Sequence, residues 1–276
     1  MMVGVVTYIY PNGLRFLSQF LEKLQFQDDQ EFDLIIFNDG IENFKKEMLE
    51  IADKYNFNIQ VYSLSGTILN VRVKSFNILK ELNYNYYIFQ DIDDLMSDNR
   101  VSITKKYLDE FDVVVNDLII MGKEDEEGIW KDRMEEGSTF TYSNIRNYNI
   151  VGFGNTSIKK SVLERTEILE SNLPIATDWF VFYQILKLGF TCIFTNKCFT
   201  VYRQHNDNIA GANHHITEDR LEYVSTVKLN HYKALEELDI DYFSTEIEKL
   251  GKIEMTKDIF INYYPFWWEE TDIIKY

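Results

Sequence analysis

Asp91, Asp93 and Asp94 fall within four consecutive positions, directly after the apolar run Tyr86-Tyr87-Ile88-Phe89-Gln90. A run of that kind belongs inside a sheet. Carboxylates do not, unless a cation meets them. The conflict is resolved if the strand ends at a cleft where the acids hold a divalent metal, since ligands in open α/β sheets sit beyond the carboxyl ends of the strands. Asp91 and Asp93 are two apart and point the same way if extended geometry continues through them. One can then bind the cation and the other a ligand hydroxyl. The plainer use is an acidic turn with Asp93 or Asp94 capping the next helix, but a cap needs one acid, not three.

The elements that must position these acids follow from apolar periodicity. Val3–Tyr8, Phe32–Phe37, Ile59–Leu64 and Tyr86–Gln90 read as strands. Helical spacing separates them, over Leu14–Leu24, Phe44–Ala52 and Val71–Leu82. A β-α-β-α-β-α-β series with short connections predicts a parallel sheet with helices on both faces. No Gly-x-Gly-x-x-Gly follows the first strand, which disfavours a dinucleotide-binding fold. Further on, a helix is predicted over Arg100–Glu110 and a strand over Val113–Val115. The charged stretch Gly122–Gly137 reads as a solvated loop or flap. Lys159–Leu169 reads as a helix, Asp178 opens another that stops at Gly189, and Cys192–Phe194 and Phe199–Tyr202 read as separate strands. From Thr217 the pattern is helical, and the chain ends in the aromatic group Tyr264, Phe266, Trp267 and Trp268.

The 276 residues suit one large α/β domain or one domain with an appendage. A net charge of −17 repels nucleic-acid backbones, so no nucleic-acid partner is expected. The two cysteines, Cys192 and Cys198, imply no disulfide framework and fit a reducing cytosol. The start of the chain has no basic region before its apolar run, and no segment reaches the roughly 18 apolar residues that span a bilayer. A soluble, cytoplasmic protein is expected, with peripheral contact at the inner face of the membrane left open.

Several pieces together resemble the inverting glycosyltransferases of family 2, which have the GT-A fold. They are Thr7-Tyr8 ending the first strand, Asn38-Asp39-Gly40 ending the second, Asp91-Ile92-Asp93-Asp94 after the fourth with Arg100 beyond it, Thr177-Asp178-Trp179 opening a helix, and Arg203-Gln204-His205. The resemblance covers roughly residues 1 to 212 and implies a GT-A domain there, with a nucleotide-binding half over 1–95 and an acceptor and catalytic half over 96–212. Residues 213–276 form a helical, aromatic C-terminal extension, which is expected either to dock as core or to meet a partner such as a second copy.

The roles implied are as follows. Asp39 receives the base of the nucleotide, and the family's usual Asp is replaced by Asn at 38. Thr7 and Tyr8 form a lip that packs on the base. Arg72 touches the nucleotide or diphosphate, and Asp91 belongs to the ribose or metal network. Asp93 binds the metal, Mn²⁺ or Mg²⁺, with Asp94 able to exchange roles with it and His205 as a further ligand. Asp178 is the general base; alternatively it caps its helix after Pro174. Arg203 and His205 close over the diphosphate. Gly152, Gly154 and Asn155 either form turns or present bare backbone to the donor sugar. The implied reaction moves a sugar from a nucleotide-diphosphate donor to a hydroxyl of a glycan, lipid-linked or protein acceptor, as in bacterial surface glycan synthesis. Two other functions compete. An Asp91-nucleophile phosphotransferase would want its motif on the first strand and Thr or Val at position 95, where Leu95 stands. A non-catalytic sugar-nucleotide-binding scaffold would have no need to keep Asp39, Asp93 and Asp178 together.

Overall fold

The computed structural model describes residues 2–122, 128–130, 133–173, 175–204 and 218–252. Strand β1 (Val3–Ile9) leads through a 3-10 turn at Pro11–Phe16 into helix α1 (Leu17–Leu24). Then come β2 (Phe32–Asp39), α2 (Phe44–Ile51), β3 (Ile59–Leu64), α3 (Ile68–Glu81) and β4 (Tyr86–Phe89). These four strands are mutually parallel in the order β3-β2-β1-β4. All seven residues of β1 are buried, because helices cover both of its faces. Val6 and Tyr8 face one core, shared with α3, while Val3, Val5 and Ile9 face the other, shared with α1 and α2. At α3 the hydroxyl of Thr67 accepts the N–H of Asn70, an N-cap that starts the helix.

The second half is mixed. It contains β5 (Leu95–Met96), α4 (Arg100–Glu110), β6 (Val113–Ile120), β7 (Thr139–Phe140), β8 (Thr156–Lys159), α5 (Lys160–Glu164), α6 (Thr177–Lys187) and β9 (Cys192–Tyr202). Strand β8 runs antiparallel between β4 and β6, and β9 is parallel to β6, giving one curled sheet of nine strands among the described residues. Its order places the C-terminal end of β4 beside the loop that precedes β8.

Three expectations are corrected. The helix over Lys159–Leu169 shrinks to α5: Lys159 closes β8, which pairs both β4 and β6, and the chain leaves the helix after Glu164, with the N–H of Leu169 donating instead to Gln184 Oε1 (2.8 Å). The two strands around Cys192 and Cys198 are one strand, bent where the register jumps from Asn116↔Thr195 to Asp117↔Phe199. Part of the charged 122–137 stretch is core and not flap. Trp130 is buried, and the carboxylate of Asp117 holds it by accepting the N–H groups of Trp130 (3.1 Å) and Leu118 (2.7 Å). Gly189 does end α6, with φ of +85°. Both cysteines are buried and free.

Helices α7 (Glu218–Leu235) and α8 (Ile240–Gly251) supply Val227, Tyr232, Leu235 and Phe243 to the same core as Trp179 and Tyr183 of α6. Asp239 at their junction accepts from Arg146 Nη2 (2.7 Å) and from the hydroxyl of Tyr183 (3.0 Å). The described part of the extension is therefore continuous with the α/β core. The aromatic group at 264–268 lies outside the described residues. No described helix is long and apolar enough to cross a membrane.

Candidate functional site

Strand β4 stops at Phe89, and the chain turns at once, with the N–H of Asp94 donating to the carbonyl of Asp91 at 3.2 Å. Beneath this turn lies Arg100, the first residue of α4 and fully buried. Its guanidinium donates to the carbonyl of Phe89 (2.8 Å), the side chain of Gln90, the carbonyl of Gly154 (2.8 Å) and Thr200 Oγ1 (3.0 Å). One side chain thus ties the end of β4 to the loop before β8. Burial pulls Arg100 down to about 10, against the opposing pull of Asp91 and Asp94. It stays protonated and puts a resident positive charge under the acids.

That loop, Val151–Asn155, is shaped by Asn155. Its amide donates to the carbonyls of Asn116 (2.9 Å) and Ile150 (3.1 Å), and its oxygen accepts the N–H of Gly152 (2.7 Å). With three bonds made and only 2% of its surface exposed, Asn155 builds the loop and does not reach a donor sugar. Gly154 sits against the acids, where a Cβ would stand 3.0 Å from Asp91 Oδ2 and 3.2 Å from Asp94 Oδ2. At Gly152 a Cβ would stand 3.6 Å from Asp178 Oδ2. Asp178 therefore lies at one end of the Gly152–Gly154 floor and Asp91 and Asp94 at the other.

Asp178 is in the first turn of α6, whose N-cap is Ala176, so it does not cap the helix. Its carboxylate accepts the N–H of Phe153. Burial raises its pKa, while Arg72 and the N–H bonds oppose the rise. Asp91 is pushed up to about 7 by burial, then by the charges of Asp178 and Asp93, against Arg72 and Arg100. Asp94 is raised well above the usual carboxylate range, by burial and then by Asp93 and Asp91.

Arg72, from α3, stands between the two groups. Its Nη2 is 3.8 Å from Asp91 Oδ1, and its Cζ lies 3.3 Å from the ring centroid of Tyr8 and 4.5 Å from that of Phe153. Its Nε is buried without a hydrogen-bond partner. Tyr8 is buried, bonded through its hydroxyl to Ser75 (2.7 Å) and stacked on Phe37. Thr7 is fully buried on the opposite face of β1. The expected lip on the base is therefore not formed by these two side chains; Tyr8 is the platform under Arg72.

Asp39 ends β2, part-buried, two strands from β4, which is about 10 Å across the sheet. Beside it, the amide of Asn38 donates to the carbonyl of Ile41 (2.8 Å) while its oxygen accepts the N–H of Ile41 (3.0 Å). An ionised Asp has no proton for the first bond, so Asn at 38 has a local structural reason. Arg203 turns toward the acidic turn: its N–H donates to Asp94 Oδ1 (2.8 Å) and its Nε to the carbonyl of Asp93 (2.7 Å). His205 lies outside the described residues.

Among the described residues no three His, Cys, Asp or Glu side chains form an all-protein metal cage. Mg²⁺-like ions seldom use one; they take one or two carboxylates plus substrate phosphates. Two carboxylates with raised pKa, converging on a spot that Gly154 leaves bare, fit that donor set.

With this geometry in place, solved structures offer a comparison. TarS from S. aureus aligns with a TM-score of 0.58 at 17% identity, covering 94% of this chain and 45% of that one. The mannosyltransferase PcManGT from Pyrobaculum calidifontis, in complex with GDP-Man and Mn²⁺, aligns with 0.57 at 10% identity, covering 92% and 76%. GalNAc-T7 with UDP, GalNAc and Mn²⁺ aligns with 0.61 at 12% identity, covering 90% and 49%. The fold is GT-A. At these identities the likeness is one of fold, and the chain spans less than half of the TarS and GalNAc-T7 chains. No protein-family model matches the sequence, and no curated protein does. In GT-A terms, the acids after β4 stand at the carboxyl edge of the parallel strands, where the fold places a ligand.

Arg100 and Gln90 had no role assigned from the sequence. The only signal was an Arg opening the helix after an acidic turn, which acquires meaning once β8 brings Gly154 over it.

Proposed function

We propose that this protein is a metal-dependent inverting glycosyltransferase, related in mechanism to family 2, that moves a sugar from a nucleotide-diphosphate donor to an acceptor hydroxyl in surface glycan or glycoconjugate synthesis. The observation that carries this reading is the placement of Asp178 and the Asp91–Asp94 pair at opposite ends of the Gly152–Gly154 floor. The ligands in the aligned structures, GDP-Man with Mn²⁺ and UDP with Mn²⁺, support a nucleotide-sugar donor.

Asp39 takes the base at one edge of the cleft, and the diphosphate reaches across β1 toward the end of β4. Asp91 and Asp94, with Asp93 beside them, would hold a divalent ion, and such an ion would offset charge on the departing diphosphate. The sugar lies over the bare backbone of Gly152–Gly154. Asp178 then accepts the proton of the acceptor hydroxyl as that oxygen attacks the anomeric carbon from the side away from the diphosphate. Single displacement from that side inverts the anomeric centre. The raised pKa of Asp178 makes it a stronger base than an exposed carboxylate. Arg72 holds positive charge between the base and the metal acids, limiting their mutual repulsion. The phosphotransferase alternative fits less well, because the acids follow an interior fourth strand and Leu95 pairs into the sheet through β5.

The test is turnover of a panel of nucleotide sugars in Mn²⁺, with and without acceptor extracts, by wild type and Asp178→Asn. Turnover by wild type alone supports the reading. Equal turnover by both removes Asp178 as the base.

A further inference from the structure

The acidic turn is gripped from the side as well as from below. Arg203 follows β9 and makes three kinds of contact with the turn and the first helix. Its backbone N–H donates to Asp94 Oδ1 (2.8 Å), its Nε–H to the carbonyl of Asp93 (2.7 Å), and its Nη2–H to Oε1 of Gln19 on α1. Its Cζ lies 4.9 Å from the ring centroid of Phe16. A second contact braces the same turn: Ile92 is buried against Gly13, where a Cβ would stand 3.0 Å from Ile92 Cγ2. The 3-10 turn and α1 therefore form the side wall of the acidic turn.

We propose that Gln19 and Arg203 are positioning residues for the metal-binding carboxylates, acting as a clamp between α1 on one side and the Asp93 carbonyl and Asp94 carboxylate on the other. This rests on reading that turn as the metal site. A hydrogen bond to one oxygen fixes how the carboxylate is turned, and with Oδ1 held by the Arg203 N–H it is Asp94 Oδ2 that faces Gly154 and Asp91. Arg203 holds Oδ1 through its backbone. Its side chain fixes where that backbone sits by bonding Asp93 on one side and Gln19 on the other. Gln19 is exposed and sits on a helix that contributes no acid to the site. It acts only through Arg203. Outer partners of this kind orient metal ligands, and their loss costs about 10- to 100-fold in metal affinity.

Gln19 makes the two roles separable. Mn²⁺ binding to the full chain is measured by water-proton relaxation with UDP, GDP, CDP and dTDP in turn, for wild type, Arg203→Met, Gln19→Leu and Gln19→Glu. The clamp predicts that Arg203→Met and Gln19→Leu each weaken Mn²⁺ binding about 10-fold. Gln19→Glu still offers an oxygen to Nη2 and is expected to bind Mn²⁺ as wild type does. Gln19→Leu matching wild type overturns the clamp, whatever Arg203→Met does. So does Gln19→Glu failing together with Gln19→Leu, because the lost hydrogen bond would then not be the cause. Wild type that binds no Mn²⁺ with any of the four nucleotides removes the metal-site reading, and the clamp with it.

Discussion

Arg72 holds its Nη2 3.8 Å from Asp91 Oδ1 while its guanidinium rests on the ring of Tyr8. The ring fixes the plane of the cation, and Phe153 borders its other contact at 4.5 Å. Arg72 also opposes the rise in the pKa of Asp178. Removing it should therefore make both carboxylates harder to ionise. For Arg72→Leu the acid limb of the kcat/KM–pH profile is expected to move upward by roughly one unit or more. Arg72→Lys keeps the charge but not the planar stack and is expected to fall between. The measurement is the pH–rate profile of the three proteins.

Asp178 bears on a different step. Asp178→Asn preserves shape and the Phe153 contact region but cannot take a proton. Its kcat is expected to fall by about 10² to 10⁴. Nucleotide-diphosphate affinity, measured by calorimetry, should not fall, because Asp178 does not share the Gly154 spot with Asp91 and Asp94, and losing its charge makes Asp91 easier to ionise.

Gly154 tests the convergence of the acids. A Cβ there would meet Asp91 Oδ2 at 3.0 Å and Asp94 Oδ2 at 3.2 Å, tighter than ordinary contact, so one carboxylate must shift. Gly154→Ala is expected to weaken Mn²⁺-supported nucleotide binding by about tenfold or more while leaving the far-UV CD spectrum unchanged. Unchanged Mn²⁺ dependence would show that the two oxygens are not used together.

The raised carboxylates have a consequence for stability. Asp91 has a folded pKa of about 7 against an ordinary value of 3.8. Between those values the metal-free folded protein binds a proton that the unfolded chain has released. Stability therefore falls as pH rises from about 4 through about 7. Asp94 and Asp178 act in the same direction. Buried His231, pulled down to about 3, acts oppositely and costs stability as pH falls below its usual value of 6.5. The melting temperature of metal-free protein should thus decline between pH 6.5 and 8, and Asp91→Asn should flatten the decline.

Much of the fold was legible in the sequence, because periodicity is local. Ile59–Leu64 and Arg100–Glu110 appear at the expected bounds, since each has an uninterrupted pattern of one period. Lys159 was read as the start of a helix, and no strand was read over Thr156–Lys159. Its strand state comes from pairing with β4 and β6, two segments far away in the chain. The site shows the same division. Asp91–Asp94 stood out because three acids end an apolar strand, and Asp178 because it opens an apolar helix. The role of Arg100 depends on the carbonyl of Gly154, 54 positions on, and that of Arg203 on Gln19, 184 positions back. No local pattern encodes either. Tyr8 as a platform for Arg72 and Asn155 as a loop brace were missed for the same reason.

The central claim is that buried acids after β4 bind a divalent ion jointly with a nucleotide diphosphate. The most direct measurement is the melting temperature of the full chain with UDP, GDP, CDP and dTDP, each with and without Mn²⁺. At least one nucleotide should raise it only when Mn²⁺ is present, because that pair binds the folded cleft alone, and Asp91→Asn with Asp94→Asn should abolish the rise. No rise with any nucleotide, or a rise that persists in the double variant, would contradict the account.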